Sequence, residues 1–248
     1  NLQEMIDKSL KAGVKTIVLV TPNPVSDEYL NMRHKNHPNG GKFQKWLDKY
    51  DAVIRKTAKI NNLPLADLRK LCDQNAGAKI AKESLIRNKL NANSEDGVHL
   101  TPEGYKCMGE MIAGILKDKV RPGDVVVCLG DSITYGAAME GQGTPYGETY
   151  PSWLWLYLNR QIGGTDLKNP RVFKNNEKGN FAQNGNFEIS DDGRNPVFWR
   201  CYGATSGIEN KNPFRGSNCI WVRNKYKKPC LFWHLPYIPM QKGKAYRY

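Results

Sequence analysis

Two stretches of the chain carry residue types able to perform acyl transfer. Ser132 lies in Gly130-Asp131-Ser132-Ile133-Thr134, directly after the apolar run Val125-Val126-Val127-Cys128-Leu129. A buried strand ending in a tight turn would lift that hydroxyl above a sheet edge, rigidly held yet open to substrate. A serine hydroxyl is a poor nucleophile until a base takes its proton, and histidine is the better base when a carboxylate orients it. Asp96-Gly97-Val98-His99 offers both groups on one loop.

Together these stretches resemble the SGNH (GDSL-type) hydrolases. Gly130–Thr134 is similar to that family's nucleophile block, with isoleucine in place of leucine. Asp96–His99, continued by Leu100-Thr101-Pro102-Glu103-Gly104-Tyr105, is similar to its terminal Asp-x-x-His block. The resemblance implies Ser132 as nucleophile, His99 as base, Asp96 as its orienter, and a three-layer, flavodoxin-like parallel sheet. It implies no metal and no cofactor.

The elements that must hold these residues are read from periodicity. Residues 2–12 show a helical stripe (Leu2, Met5, Ile6, Leu10) that stops at Gly13. Val14–Val20 reads as a strand buried on both faces. Phe43, Trp46, Leu47, Tyr50, Val53, Ile54 and Thr57 recur at helical spacing, so 42–60 is expected to be an amphipathic helix. Leu63–Leu68 is a short strand. Thr101 has the character of an N-cap, with Pro102 at the first helical position. Tyr105, Met108, Ile112 and Ile115 form the buried stripe of the next helix. Val120–Asp124 connects it to the serine strand, and Pro151 opens an apolar helix. Arg171–Phe173 is a further candidate strand. Helix and strand alternation of this kind argues a parallel α/β sheet, with ligands beyond the carboxyl ends of its strands.

From Asn180 the composition shifts to aromatics, turn residues and short β-like runs such as Pro196–Trp199 and Cys219–Val222. This predicts antiparallel β structure, part of a sandwich. The run beginning Asn184-Gly185-Asn186-Phe187-Glu188 resembles the opening of jelly-roll carbohydrate-binding modules. Trp199, Trp221 and Trp233 are candidate sugar-stacking residues, though aromatics at strand spacing more often fill a core. The expected division is a hydrolase domain over 1–179 and a partial β-rich module over 180–248.

Within 1–179 the blocks stand in reversed order. Residues 1–119 resemble the family's C-terminal half and 121–179 its N-terminal half. The family's Gly-x-Asn-Asp oxyanion block is not found, and Gly179 is the candidate for the preceding glycine donor beside the Ser132 amide. Losing one such donor typically lowers turnover by ~10²–10³-fold. A circular permutation, a window across two tandem domains, and segments joined out of order each account for the reversal. The reading adopted is one catalytic domain assembled from both segments, with part of it missing. A tandem window would instead put Ser132 and His99 in different sites.

Composition bounds the alternatives. The 248 residues carry a net charge of +13 and are 40% hydrophobic. Residues 185–248 hold 11 Lys and Arg against 4 Asp and Glu, compared with 20 against 14 over residues 1–120, so the basic excess is densest at the C-terminal end. The excess suits an acidic partner or a solvated basic surface. No nucleic-acid motif of a recognised type is present, and no apolar run approaches the ~20 residues that span a bilayer. The six cysteines include no CxxC pair, and a disulfide among Cys201, Cys219 and Cys230 would leave one over. His34 and His37 read as exposed loop histidines and His234 as structural. The expected activity is a serine esterase acting on ester groups, chiefly O-acetyl, of a carbohydrate in an exported (secreted or periplasmic) protein. The competing readings are a lipid-directed esterase or lysophospholipase, and a carbohydrate-binding protein on a hydrolase relic.

Overall fold

The computed structural model describes residues 1–37, 41–139, 142–143, 147–161, 199–202, 205–210, 219–223 and 231–234. Helix α1 (Leu2–Lys11) is capped by Asn1, whose side chain accepts from the Glu4 amide. Gly13 follows it at φ +87°. Of the expected strand Val14–Val20, only β1 (Leu19–Val20) makes a ladder, parallel to β2 (Leu65–Ala66) with Leu19 opposite Leu65. Leu19 donates to the Pro64 carbonyl and Thr21 to that of Ala66, both at 3.0 Å.

Two apolar clusters hold this pair. Ile6 of α1, Leu19 of β1 and Ala58 of α3 (Phe43–Ile60) are buried together, with Ile17, Ile54 and Leu65 packed against them. The apolar stripe read along α3 is split by the structure. Ile54 and Ala58 face inward, while Trp46, Tyr50 and Val53 are 41%, 61% and 54% exposed. Periodicity shows which residues share a face, but the packing partner decides which of two adjacent apolar arcs is covered.

The larger cluster joins Ala66, Leu68, Ile86, Leu100 and Tyr105 to Met108, Ile112 and Leu116 of α6 (Pro102–Leu116) and to Leu154 and Leu158 of α8 (Tyr150–Gln161). Each such side chain, fully buried, contributes roughly 1.5–3 kcal/mol. Thr101 caps α6 as expected, accepting from the Gly104 amide at 3.1 Å, with Pro102 in the first turn. Gly109 lets α8 lie close against α6, since a Cβ there would come within 2.6 Å of Trp153 Cβ.

Between α6 and α8 the structure departs from expectation. Val125–Leu129 is not a buried strand. Val125, Val127 and Leu129 are 86%, 70% and 75% exposed, and no backbone group of the run is hydrogen-bonded among the described residues. Only Cys128 packs on the core. Apolar β-branched residues favour an extended backbone, but a strand exists only where a neighbour supplies the ladder. No described strand lies beside this run.

Among the described residues of the C-terminal part stand two antiparallel pairs. One joins β3 (Trp199–Tyr202) to β6 (Leu231–His234), the other β4 (Thr205–Glu209) to β5 (Cys219–Arg223). Cys72, Cys107, Cys128 and Cys201 are free thiols. Gly179, the candidate strand Arg171–Phe173 and Cys230 lie outside the described residues. The described chain is thus a mixed helix and sheet protein of the α/β class.

Candidate active site

The Asp96–His99 loop is pinned from three directions. Across its base, Thr101 donates to the Leu85 carbonyl at 2.8 Å, Arg87 to His99 at 2.9 Å and Gly97 to Arg87 at 2.9 Å. From the loop after β1, Asn23 Nδ2 donates to the Val98 carbonyl and the Ser26 amide to that of Gly97, each at 2.8 Å. From α2 (Asp27–Arg33), the Arg33 guanidinium donates to the main-chain oxygens of Glu95 and Asp96. Gly97 is required here twice over: its φ is +70°, and a Cβ would meet Ser26 Cβ at 2.8 Å.

Within the loop, the His99 and Val98 amides donate to Asp96 Oδ1 at 2.9 and 3.0 Å. His99 Nδ1 stands 2.9 Å from Asp96 Oδ2. Arg87 Nε lies 3.7 Å from the same oxygen, buried and without a hydrogen-bond partner among the described residues. Burial by itself would raise the Asp96 carboxyl. The hydrogen bonds from the His99 ring and from the two amides outweigh it, and its pKa lies at about 2. The carboxylate is therefore ionised throughout the neutral range and holds Nδ1 as a donor, which leaves Nε2 free to accept a proton.

Ser132 opens α7 (Ser132–Tyr135), a single turn whose N-cap is Asp131, accepting from the Ile133 amide at 2.9 Å. At the first helical position its own N–H has no carbonyl of that helix to reach. Gly130 has no room for a side chain, since a Cβ would fall 2.1 Å from Thr134 Oγ1. Tyr150 of α8 lies 3.2 Å, hydroxyl to hydroxyl, from Thr134, and so ties the turn to the α6–α8 core. The serine is exposed, and its Oγ is 3.0 Å from His99 Nε2. Ser132, His99 and Asp96 thus form one continuous hydrogen-bonded chain, closed through the Leu116–Asp124 connection. That connection is a pair of tight turns in which Val120 donates to Leu116 and Asp124 to Arg121.

Arg33, Asn23, Ser26 and Arg87 were not singled out by sequence reasoning. Of the four only Asn23 carried a local signal, standing in Thr21-Pro22-Asn23-Pro24, where two prolines end the β-branched run. His34 and His37 cluster with Phe43, with ring centroids 5.0 to 6.4 Å apart. A cleft of about 410 Å³ opens between Pro24–Asp27 and Ala76–Lys79, but neither Ser132, His99 nor Asp96 lines it. Among the described residues no group of three or more His, Cys, Asp or Glu is placed to hold a metal ion. Trp199 is half-buried, while Trp221 is 38% exposed with the Arg223 guanidinium 6.0 Å from its ring. In the β3–β6 register Trp199 pairs with His234 and Trp233 with Arg200, so positions 199 and 233 lie on opposite faces of that pair.

Comparison with known proteins finds one curated match of note, in Bacillus subtilis (strain 168). Its description is uncharacterized lipoprotein YqeF, and it is 30% identical over 120 residues, covering 45% of this chain and 48% of the relative. The chain therefore spans about half the length of that relative. No family model matches, and no solved structure matches. Among the described residues no helix is long and apolar enough to cross a membrane.

Proposed function

We propose that the protein is a serine ester hydrolase of the SGNH type, acting on ester groups, chiefly O-acetyl groups of a carbohydrate. The observation that carries this reading is the relay Asp96 Oδ2–His99 Nδ1 at 2.9 Å and His99 Nε2–Ser132 Oγ at 3.0 Å, brought together from residues 33 positions apart. In the proposed reaction His99 Nε2 takes the Ser132 proton as Oγ attacks the ester carbonyl. The negative charge that develops on the carbonyl oxygen is met by the Ser132 N–H, free at the start of α7. The tetrahedral adduct collapses, His99 returns the proton to the departing alcohol, and an acyl-serine remains. Water, deprotonated by the same imidazole, then releases the acid and restores the hydroxyl.

The same reading makes β1 and β2 part of a larger parallel sheet; its support is the alternation of helix and strand along the chain. The carbohydrate assignment rests on the likeness of residues 180–248 to sugar-binding modules and on the exposed Trp221 ring. An extracytoplasmic location, secreted or membrane-anchored, is supported by the lipoprotein relative.

Hydrolysis of an aryl acetate and of acetylated oligosaccharides by the purified chain tests the proposal. Turnover that vanishes in Ser132→Ala, with preference for acetyl over longer acyl chains, is expected. Equal turnover in Ser132→Ala overturns the nucleophile assignment, and rates that climb with acyl length overturn the substrate class.

A further inference from the structure

Helix α3 exposes a face that no described element covers. Trp46, Tyr50, Val53 and Ile60 are 41%, 61%, 54% and 69% exposed. At 100° per residue these four positions fall within an arc of roughly 80°, beside the arc that buries Ile54 and Ala58. Lys45, Lys49, Lys56 and Lys59 flank the stripe on its other side, Lys42 stands at the N-cap of the helix, and all five are exposed. None forms a salt bridge among the described residues, and the Lys49 ammonium sits 4.1 Å from the centre of the Trp46 ring. The two carboxylates of the helix pair with arginines rather than with these lysines: Asp51 with Arg55 at 2.8 Å and Asp48 with Arg69 at 2.7 Å, each arginine also holding a second carboxylate, Asp67 and Asp73. The outward side of α3 is therefore an apolar band, aromatic at its N-terminal end, bordered by uncompensated positive charge.

We infer that this face is a docking surface for an anionic lipid bilayer, with α3 lying in the interfacial plane. Charge complementarity chooses the partner. An apolar protein surface would cover Trp46 and Tyr50 equally well but would leave five lysines unanswered. A soluble polyanion would answer the lysines but leave the aromatic band in water. The headgroup region of an anionic leaflet meets both, because tryptophan and tyrosine favour its depth and lysines favour its surface potential. The helix lies on the bilayer rather than crossing it, being too charged to span. The N-terminal end of the band is also coupled to the candidate active site. Gln44 Oε1 accepts from the Val25 amide at 2.8 Å, and the neighbouring Ser26 amide donates to Gly97 of the Asp–His loop. Docking through α3 would hold that loop close to the membrane.

Co-sedimentation of the full chain with vesicles of phosphatidylglycerol and phosphatidylcholine tests this, against vesicles of phosphatidylcholine alone. Binding to the anionic vesicles that weakens with salt is expected. Trp46→Ala/Tyr50→Ala should lower the partition coefficient by about tenfold or more, and Lys45→Glu/Lys49→Glu/Lys56→Glu should abolish binding. Circular dichroism and thermal melting of each variant guard against misfolding, and neither measurement depends on the chain being an esterase. Absence of binding to the anionic vesicles overturns the inference. Binding unchanged by Trp46→Ala/Tyr50→Ala also overturns it, since charge attraction alone would then suffice. So does a dimer in solution that dissociates in that double variant, which would make a second copy the occupant.

Discussion

The two halves of the candidate active site are built to different standards. The Asp96–His99 loop is held by the Arg33 guanidinium, the Asn23 amide, the Ser26 amide and a short bridge around Arg87, and Leu100 and Tyr105 beneath it are wholly buried. The run leading to Ser132 has no backbone hydrogen bond among the described residues and exposes three of its five apolar side chains most fully. Its position is set from the C-terminal side, by the α7 turn, the Thr134–Tyr150 contact and the packing of α8 on α6. The base is thus anchored by hydrogen bonds from several sides, and the nucleophile from one side by side-chain packing. A site needs both its groups within hydrogen-bond reach, but the base also needs a fixed tautomer, which only a fixed carboxylate supplies.

The sharpest way to break this comparison is to remove the reacting atoms. Ser132→Ala should cost ~10⁴-fold or more in kcat on an aryl acetate, and Asp96→Asn about 10³–10⁴-fold with the fold intact, because the wrong His99 tautomer would face the serine. Initial rates on folded variants check both. Equal small losses in the two would dissolve the relay.

The next effects are on stability. Asp96 lies at about 2, below its ordinary 3.8. A carboxyl depressed in the folded state stabilises above its unfolded pKa and loses that contribution as pH falls through the folded value. About 2 kcal/mol should therefore disappear between pH ~4 and ~2 in the parent chain. Asp96→Asn should flatten that part of the profile, as read by urea unfolding across the pH range. Gly97→Ala should destabilise by about 1–3 kcal/mol, since positive φ and the approach of Ser26 and Tyr29 both oppose a methyl.

Smallest of all should be Val127→Lys. A solvent-facing residue of an unpaired run should tolerate the change within roughly 0.5 kcal/mol. A loss of several kcal/mol would mean that the run is a buried strand after all, and the contrast between the two halves would vanish.

Legibility from sequence tracked the range of the forces involved. Helices α1, α6 and α8, the Thr101 cap and the buried stripe of Tyr105, Met108 and Ile112 were all readable, because helix periodicity and capping are set by residues three or four apart. The strand assignments were overextended: of Val14–Val20 only Leu19 and Val20 pair, and Val125–Leu129 pairs with nothing described. Strand propensity is a statement about neighbours the sequence does not display. The α3 stripe was visible as periodic, but its division into a packed arc and a bare one was not.

The residue types and spacing of Asp96, His99 and Ser132, and hence the chemistry they could perform, were determined by the sequence alone, since functional groups and local turn geometry belong to the residues and their immediate neighbours. That the three meet within 3.0 Å steps, that Arg33 and Asn23 hold the loop, and that Trp46 and Tyr50 face outward were decided only by the tertiary structure. Each of these depends on which surfaces bury one another, and burial is a property of the assembled fold rather than of any stretch within it.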